Sequence, residues 1–161
     1  MITRRKLLTS LVALSASVFG ARAVASQKAA DEVGELRFPG DPTDHNVVYQ
    51  FNKASEKYHD GVLFSAGEML RKYGDNITIV VTAFGEGIHI LAKTPERPVS
   101  KKNKLIVKSL ASYGVKFHAC GNTMDTLGWE KEDMYDFVEI IQVGASDLLE
   151  LQEQGYAYIS L

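Results

Sequence analysis

The sequence predicts a three-layer α/β domain built on a five-stranded, mostly parallel sheet, and three observations predict it. Two short runs, His45 to Asn52 and Asn76 to Phe84, have continuous apolar centres, the pattern of strands covered on both faces. Between and after them, apolar residues recur at helical spacing in stretches closed by Gly74, Gly114 and Gly155. Strand and helix patterns also alternate along the chain, which implies right-handed crossovers and a parallel sheet with helices on both sides.

Taken in order, the first strand is followed by Val62, Leu63, Ala66, Met69, Leu70 and Tyr73, one helical face that ends where Gly74 supplies a C-terminal cap. The second strand runs into Gly85-Glu86-Gly87, a flexible turn leading to the short helical stretch Ile88 to Ala92. Thr94 to Pro98 is a loop. Ser100 to Tyr113 is a helix expected to turn Leu105, Ile106, Leu110 and Tyr113 inward, although lysines in its first turn oppose the helix dipole. From Val115 to Ala119 apolar and polar residues alternate, the mark of a third strand, which ends at Cys120. Gly121-Asn122-Thr123 then gives turn chemistry, with Asn122 and Thr123 as N-cap candidates for a helix at Met124. Val138 to Val143 is a fourth strand. Ser146 caps a last helix with Asp147 in its first turn and Leu148, Leu149 and Leu151 inward, and Tyr156 to Ser160 is the final strand.

With 161 residues, 45% of them hydrophobic and 24% charged, the chain suits one globular domain with a sizeable core. Residues 1–25 carry Arg4, Arg5, Lys6 and Arg22 and no acid. Their removal turns 18 basic against 20 acidic residues into 14 against 20, a net charge near −6. That sign argues against a nucleic-acid partner, and the one basic cluster, Lys101-Lys102-Asn103-Lys104, reads as a solvated helix face. A single cysteine excludes an intramolecular disulfide.

The basic start, the apolar run from Leu7 to Phe19 and the small residues Ala21, Ala23 and Ala25 form a secretory signal over residues 1–25. Thr3-Arg4-Arg5-Lys6-Leu7-Leu8 resembles a twin-arginine export signal, with cleavage after Ala25, or after Ala23, leaving a periplasmic protein. No later stretch approaches the ~20 apolar residues of a membrane span, so no membrane association is expected after cleavage. Residues 26–44, with Gly34, Pro39, Gly40 and Pro42, read as a linker or arm, and the α/β domain is expected over 45–161.

A parallel sheet brings the carboxyl ends of its strands to one rim, the edge where ligands bind in open α/β folds. That rim would gather Asn52 with Lys53, Gly85-Glu86-Gly87 and Cys120-Gly121-Asn122-Thr123. His118 stands two residues before Cys120, so both point to one face of the strand. A helix start beside the thiol favours the thiolate, the nucleophilic form; against this, free cysteine is commonly a small buried packing residue, and position alone leaves the two readings even. His118-x-Cys120 offers two metal ligands at most, so no metal is expected. No phosphate-cradling loop, no GxSxG elbow and no second cysteine are present, so nucleotide, serine-hydrolase and thioredoxin chemistry are not supported and no cofactor is expected.

Ala83-Phe84-Gly85-Glu86-Gly87-Ile88, Gly114-Val115-Lys116-Phe117 followed by Ala119-Cys120-Gly121-Asn122-Thr123-Met124, and Val143-Gly144-Ala145 with Leu151-Gln152-Glu153-Gln154-Gly155-Tyr156-Ala157-Tyr158-Ile159 together resemble the DsrE/DsrF-like family over about His45 to Leu161. The resemblance implies a flavodoxin-like, DsrE-like sheet, homo- or hetero-oligomers, and sulfur relay with sulfur held as a persulfide on a cysteine near this rim, here Cys120. The sulfur-relay members are cytoplasmic, whereas this chain reads as exported. Two functions follow as expectations. One is an exported, sulfurtransferase-like carrier whose exposed Cys120 exchanges sulfane sulfur with a protein donor or acceptor. The other is a non-catalytic module that binds a small ligand or a protein at the rim, where Asn52, Gly85, Glu86, Gly87, His118, Gly121, Asn122 and Thr123 are the candidate binding residues.

Overall fold

A computed structural model describes residues 41–161; the expected signal over 1–25 and most of the arm, through residue 40, lie outside the described residues. The two continuous apolar runs form β1 (His45–Phe51) and β2 (Ile77–Ala83), and the alternating run forms β3 (Lys116–Cys120). β4 (Val138–Ile141) and β5 (Ala157–Ile159) complete a five-stranded sheet in the order β4-β3-β2-β1-β5, with all four pairings parallel. The helices are α1 (Glu56–Tyr73), α2 (Lys101–Ser112), α3 (Gly121–Leu127) and α4 (Gly144–Glu153), with a 3₁₀ helix at Gly85–Leu91 and another at Lys131–Asp133.

The strand order decides which helix covers which face. From β1 to β4 every step moves one strand in the same direction, so right-handed crossovers put α1, α2 and α3 on one face. There Val62, Leu63, Val107, Leu110 and Met124 pack on Val47, Tyr49, Phe51, Ile79, Val81 and Phe117, which form the main core. The step from β4 to β5 runs back past β3, β2 and β1, and its helix α4 is, among the described residues, the one helix on the second face. Leu148 and Leu151 meet Val48 and Val80 there in a much smaller cluster. Parity of the strands leaves Thr82, His118 and Cys120 on this second face, beneath α4.

Local differences from the sequence reading follow from helical phase. Leu105 and Tyr113, expected inward, are 68% and 75% exposed, and the inner face of α2 is Asn103, Val107 and Leu110. Leu105 stands two residues before Val107, about 200° round the helix. Leu149, 56% exposed, is likewise about 100° from the buried Leu148. α4 begins at Gly144 rather than at Ser146, whose hydroxyl donates to Val143 O inside the first turn. Ser100 does cap α2, accepting the Asn103 N–H at 3.2 Å. The last arm residues are stitched to the head of β2. Thr43 bonds Thr78 at 2.7 Å, and the Asp44 backbone and side chain bond Asn76 at 2.9 Å each.

Gly87 lies where the 3₁₀ helix crosses the end of β1. A β-carbon there would stand 2.3 Å from Phe51 O and 2.8 Å from Asn52 N, and backbone atoms have no room to yield. Gly87→Ala is therefore expected to lower unfolding free energy by about 3 kcal/mol, as overpacking against a fixed wall does, which urea denaturation checks. A loss under about 0.5 kcal/mol, the range of an ordinary surface change, would show that this approach is not tight.

Candidate functional site

Cys120 closes β3 and occupies the N-cap position of α3, so the helix starts one residue after the thiol. The sequence reading had Asn122 and Thr123 as N-caps; both are instead in the first turn of α3. β4 lies beside β3, and the chain leaves these neighbours in opposite directions, β3 into α3 on the first face and β4 into α4 on the second. A crevice opens at the carboxyl edge of an α/β sheet where adjacent connections part in this way, and Cys120 sits in it.

Both helix starts converge on Sγ. From α4, the Gly144 N–H donates to it at 3.3 Å. From α3, the Thr123 hydroxyl and the backbone N–H groups of Thr123 and Asn122 act as dipoles that favour its thiolate form. The Thr123 hydroxyl oxygen also accepts the Gly85 N–H at 3.2 Å, which ties the end of β2 to the thiol. Sγ faces the carbonyl of Gln142 at 3.8 Å. Gln142 straps the site shut, accepting the Asn122 N–H on its own carbonyl at 3.0 Å and donating its side-chain amide to Asn122 Oδ1 at 2.6 Å. Under that strap Cys120 is 5% exposed, not partly exposed as a carrier thiol was expected to be.

Burial pushes the thiol pKa up, but the Thr123 hydroxyl and the three backbone N–H groups outweigh burial and hold it below its ordinary value. Every contribution that favours the thiolate is a neutral dipole. The surroundings are therefore polar although nearly dry, unlike the apolar pocket of an inert structural cysteine.

His118 lies beneath α4 on the same face. Its Nδ1 meets Asp147 at 2.9 and 3.0 Å, and its Nε2 lies 3.6 Å from the exposed Glu139. The Thr82 hydroxyl donates to Asp147 Oδ2 at 2.5 Å. Burial raises the Asp147 pKa, and the bonds from His118 and Thr82 reverse that, leaving the carboxyl below its usual range.

A cavity of about 470 Å³ opens beside the thiol, lined by Gly85, Glu86, His89, Arg97, Asn122, Thr123, Thr126 and Leu127. Arg97 and Glu86 form an ion pair of 2.9 Å there. His89 is buried edge-on to Trp129, and its pKa is lowered by burial and then by the Arg97 charge. Of the residues expected at the rim, Gly85, Glu86, Asn122 and Thr123 line this cavity. Asn52, Gly87, His118 and Gly121 do not. Asn52 is held by Tyr58 at the end of β1, and Gly121 packs on Gln142. The sequence reading missed Gln142, Gly144 and Asp147 as parts of the site; Gly144 stood in a quoted motif, and Asp147 was read only as a first-turn acid. Among the described residues no three His, Cys, Asp or Glu side chains converge as a metal site requires.

The pattern of the DsrE/DsrF-like family matches residues 39–161. The chain belongs to the DsrE/DsrF-like family. The match begins six residues before β1 and takes in all five strands, and the family is one whose fold is tied to sulfur relay. No curated protein matches the sequence. Among solved structures, a protein of unknown function from Methanobacterium thermoautotrophicum, MTH1491, shares 24% identity at a TM-score of 0.66, covering 73% of this chain and all of its own. The ychN protein from E. coli is similar at 13% identity and a TM-score of 0.57, and the BT1422 protein of Bacteroides thetaiotaomicron at 12% and 0.56. Each covers 73% of this chain; 99% of the ychN chain and 96% of the BT1422 chain are matched. At these identities the likeness is one of fold.

Removing one of the dipoles that favour the thiolate leaves the burial cost less opposed. Thr123→Val, nearly isosteric, is expected to raise the Cys120 pKa by about one unit, the scale of one hydrogen bond to a charged group, read from alkylation rate against pH. An unmoved profile would mean that the hydroxyl does not reach the sulfur.

Proposed function

We propose that this chain is a sulfur carrier that holds sulfane sulfur as a persulfide on Cys120. The observation that carries the reading is the polar setting of the only cysteine of a DsrE/DsrF-like fold, with the Gly144 N–H on its sulfur at 3.3 Å and the first turn of α3 lowering its pKa. In the step proposed, the Cys120 thiolate attacks the outer sulfur of a hydropersulfide or polysulfide donor. The donor S–S bond breaks as the new one forms, and the donor leaves as a thiolate, so one sulfur atom moves with no net oxidation. An acceptor thiolate removes that sulfur by the same exchange in reverse. With no second cysteine the persulfide cannot collapse into an internal disulfide, and it waits for a partner protein. Polar and apolar residues of the cavity, Gly85, Glu86, Asn122 and Thr123 among them, are the surface offered to that donor or acceptor.

Incubating purified protein with polysulfide and weighing it tests the reading. The expected result is a gain of one or more sulfur atoms (~32 Da each) on the wild type and none on Cys120→Ser. The low exposure of Cys120 favours a second reading, a non-catalytic module whose ligand occupies the cavity. A wild type that stays unmodified would leave that reading alone.

We also propose that the chain is exported through the twin-arginine route to the periplasm and works as a homo-oligomer. Export is supported by Arg4-Arg5, the apolar run behind them and the Ala-Val-Ala site. Assembly is supported by the family and by exposed Phe64 on α1 and Leu105 on α2, two helices already bridged by Asp60 and Lys102 at 3.3 Å. Cell fractionation with N-terminal sequencing is expected to find a periplasmic chain starting after Ala25, and Arg4→Lys with Arg5→Lys is expected to hold it in the cytoplasm. Light scattering of the mature chain is expected to give a multiple of the protomer mass; a strictly monomeric mass across micromolar concentrations would count against assembly.

A further inference from the structure

Among the described residues α4 is the sole helix over its face of the sheet, and its apolar hold there is Leu148 and Leu151 on Val48 and Val80, with Phe84 and Tyr156 packed against them. Both leucines lie toward its middle and far end. The first turn, which carries the N–H that reaches the thiol, is fixed by different contacts. Asp147 in that turn takes His118 Nδ1 at 2.9 Å from β3 and the Thr82 hydroxyl at 2.5 Å from β2. Three residues earlier, Gly144 lies so close to Phe84 that a β-carbon would stand 3.0 to 3.2 Å from the ring. The Asp147 N–H closes back on Val143 O at 3.1 Å, so carboxylate and Gly144 N–H belong to one rigid turn.

We propose that Asp147, gripped by His118 and Thr82, is a positioning residue for Cys120: it pins the first turn of α4 to the sheet and so keeps the Gly144 N–H on Sγ. A largely covered carboxylate against a buried imidazole is a poor choice for stability alone, because apolar residues of similar volume commonly do as well. Their directional bonds instead set the register of a helix end that Leu148 and Leu151, farther along the helix, do not themselves fix. Glu139, 3.6 Å from His118 Nε2, is a further charged group facing this pair. The inference rests on the reading that Cys120 is the reactive thiol, but its test does not need sulfur transfer.

Ultraviolet thiolate absorbance against pH, with the Cys120→Ser spectrum subtracted, reads the thiol whether or not a reagent reaches it. Asp147→Ala is expected to move the midpoint up by about one unit, the scale of one lost charge-assisted bond, and to speed amide exchange at Gly144. Asp147→Asn, which keeps the shape and part of the hydrogen bonding, is expected to stay nearer the wild type. Thr82→Val, which removes one grip and keeps the charge, is expected to shift upward by less and serves where Asp147→Ala fails to fold. Val107→Ala, a core change on the opposite face, is expected to lower stability with the midpoint unmoved. If Asp147 acted only through its charge, both Asp147 variants would move the midpoint down, and Thr82→Val would not move it; that result overturns the proposal. It is equally overturned if the variants lose stability with the midpoint unchanged. A lowered wild-type midpoint without polysulfide loading would instead defeat the carrier reading and leave the positioning role standing.

Discussion

The reversal of the chain after β4 governs the carboxyl edge of this protein. Three crossovers march in one direction and stack their helices on one face. The fourth must return across three strands, and a right-handed connection can do so only over the opposite face. That places two helix starts on either side of the end of β3, where neither would lie if β4 continued the march. Cys120 has a helix start on either side because of topology, and its own strand needs nothing more than a position for it to stand in.

The same reversal makes the two faces unlike. Under α1, α2 and α3 the sheet is apolar and closely filled, and there Gly87 permits a backbone contact no other residue allows. Under α4 the sheet carries Thr82, His118 and Cys120, and among the described residues a single helix of ten residues covers them. Polar groups so placed are costly unless bonded, and each of these three has its partner on α4 or in the turn that precedes it. The second face is thus held by direction as much as by burial.

How much of this the sequence displays depends on the range of the interaction. β1 and β2 are plain in their apolar runs, and β3 in its alternation, because a strand's burial is written in its own residues. The thiol at a strand end before a helix start is equally local. Strand order is not local, and nothing between Val138 and Ser160 announces that β4 pairs with β3 while β5 returns to β1. Asp147 shows the difference well. Its place in a first turn is visible, yet its partners stand 29 and 65 residues away. The signal was present from the other side, since Thr82 and His118 are polar residues in strands expected to be covered on both faces, and such residues call for a polar group on whatever covers them. The exposure of Leu105 and Leu149 was missed for a simpler reason, that adjacent apolar residues in a helix cannot share one inward face.

The groups that favour the thiolate form of Cys120 are a hydroxyl and three peptide N–H groups, with no lysine or arginine among them. A thiolate held by a cationic side chain through solvent weakens as salt accumulates, since mobile ions screen the pair within about 10 Å at 0.1 M. Dipoles beside the sulfur, in a site where Cys120 is 5% exposed, leave little room for a counterion to intervene. The acidity of this thiol is accordingly a property of chain geometry, steady against ionic strength and sensitive to any change in the angle between the two helix starts.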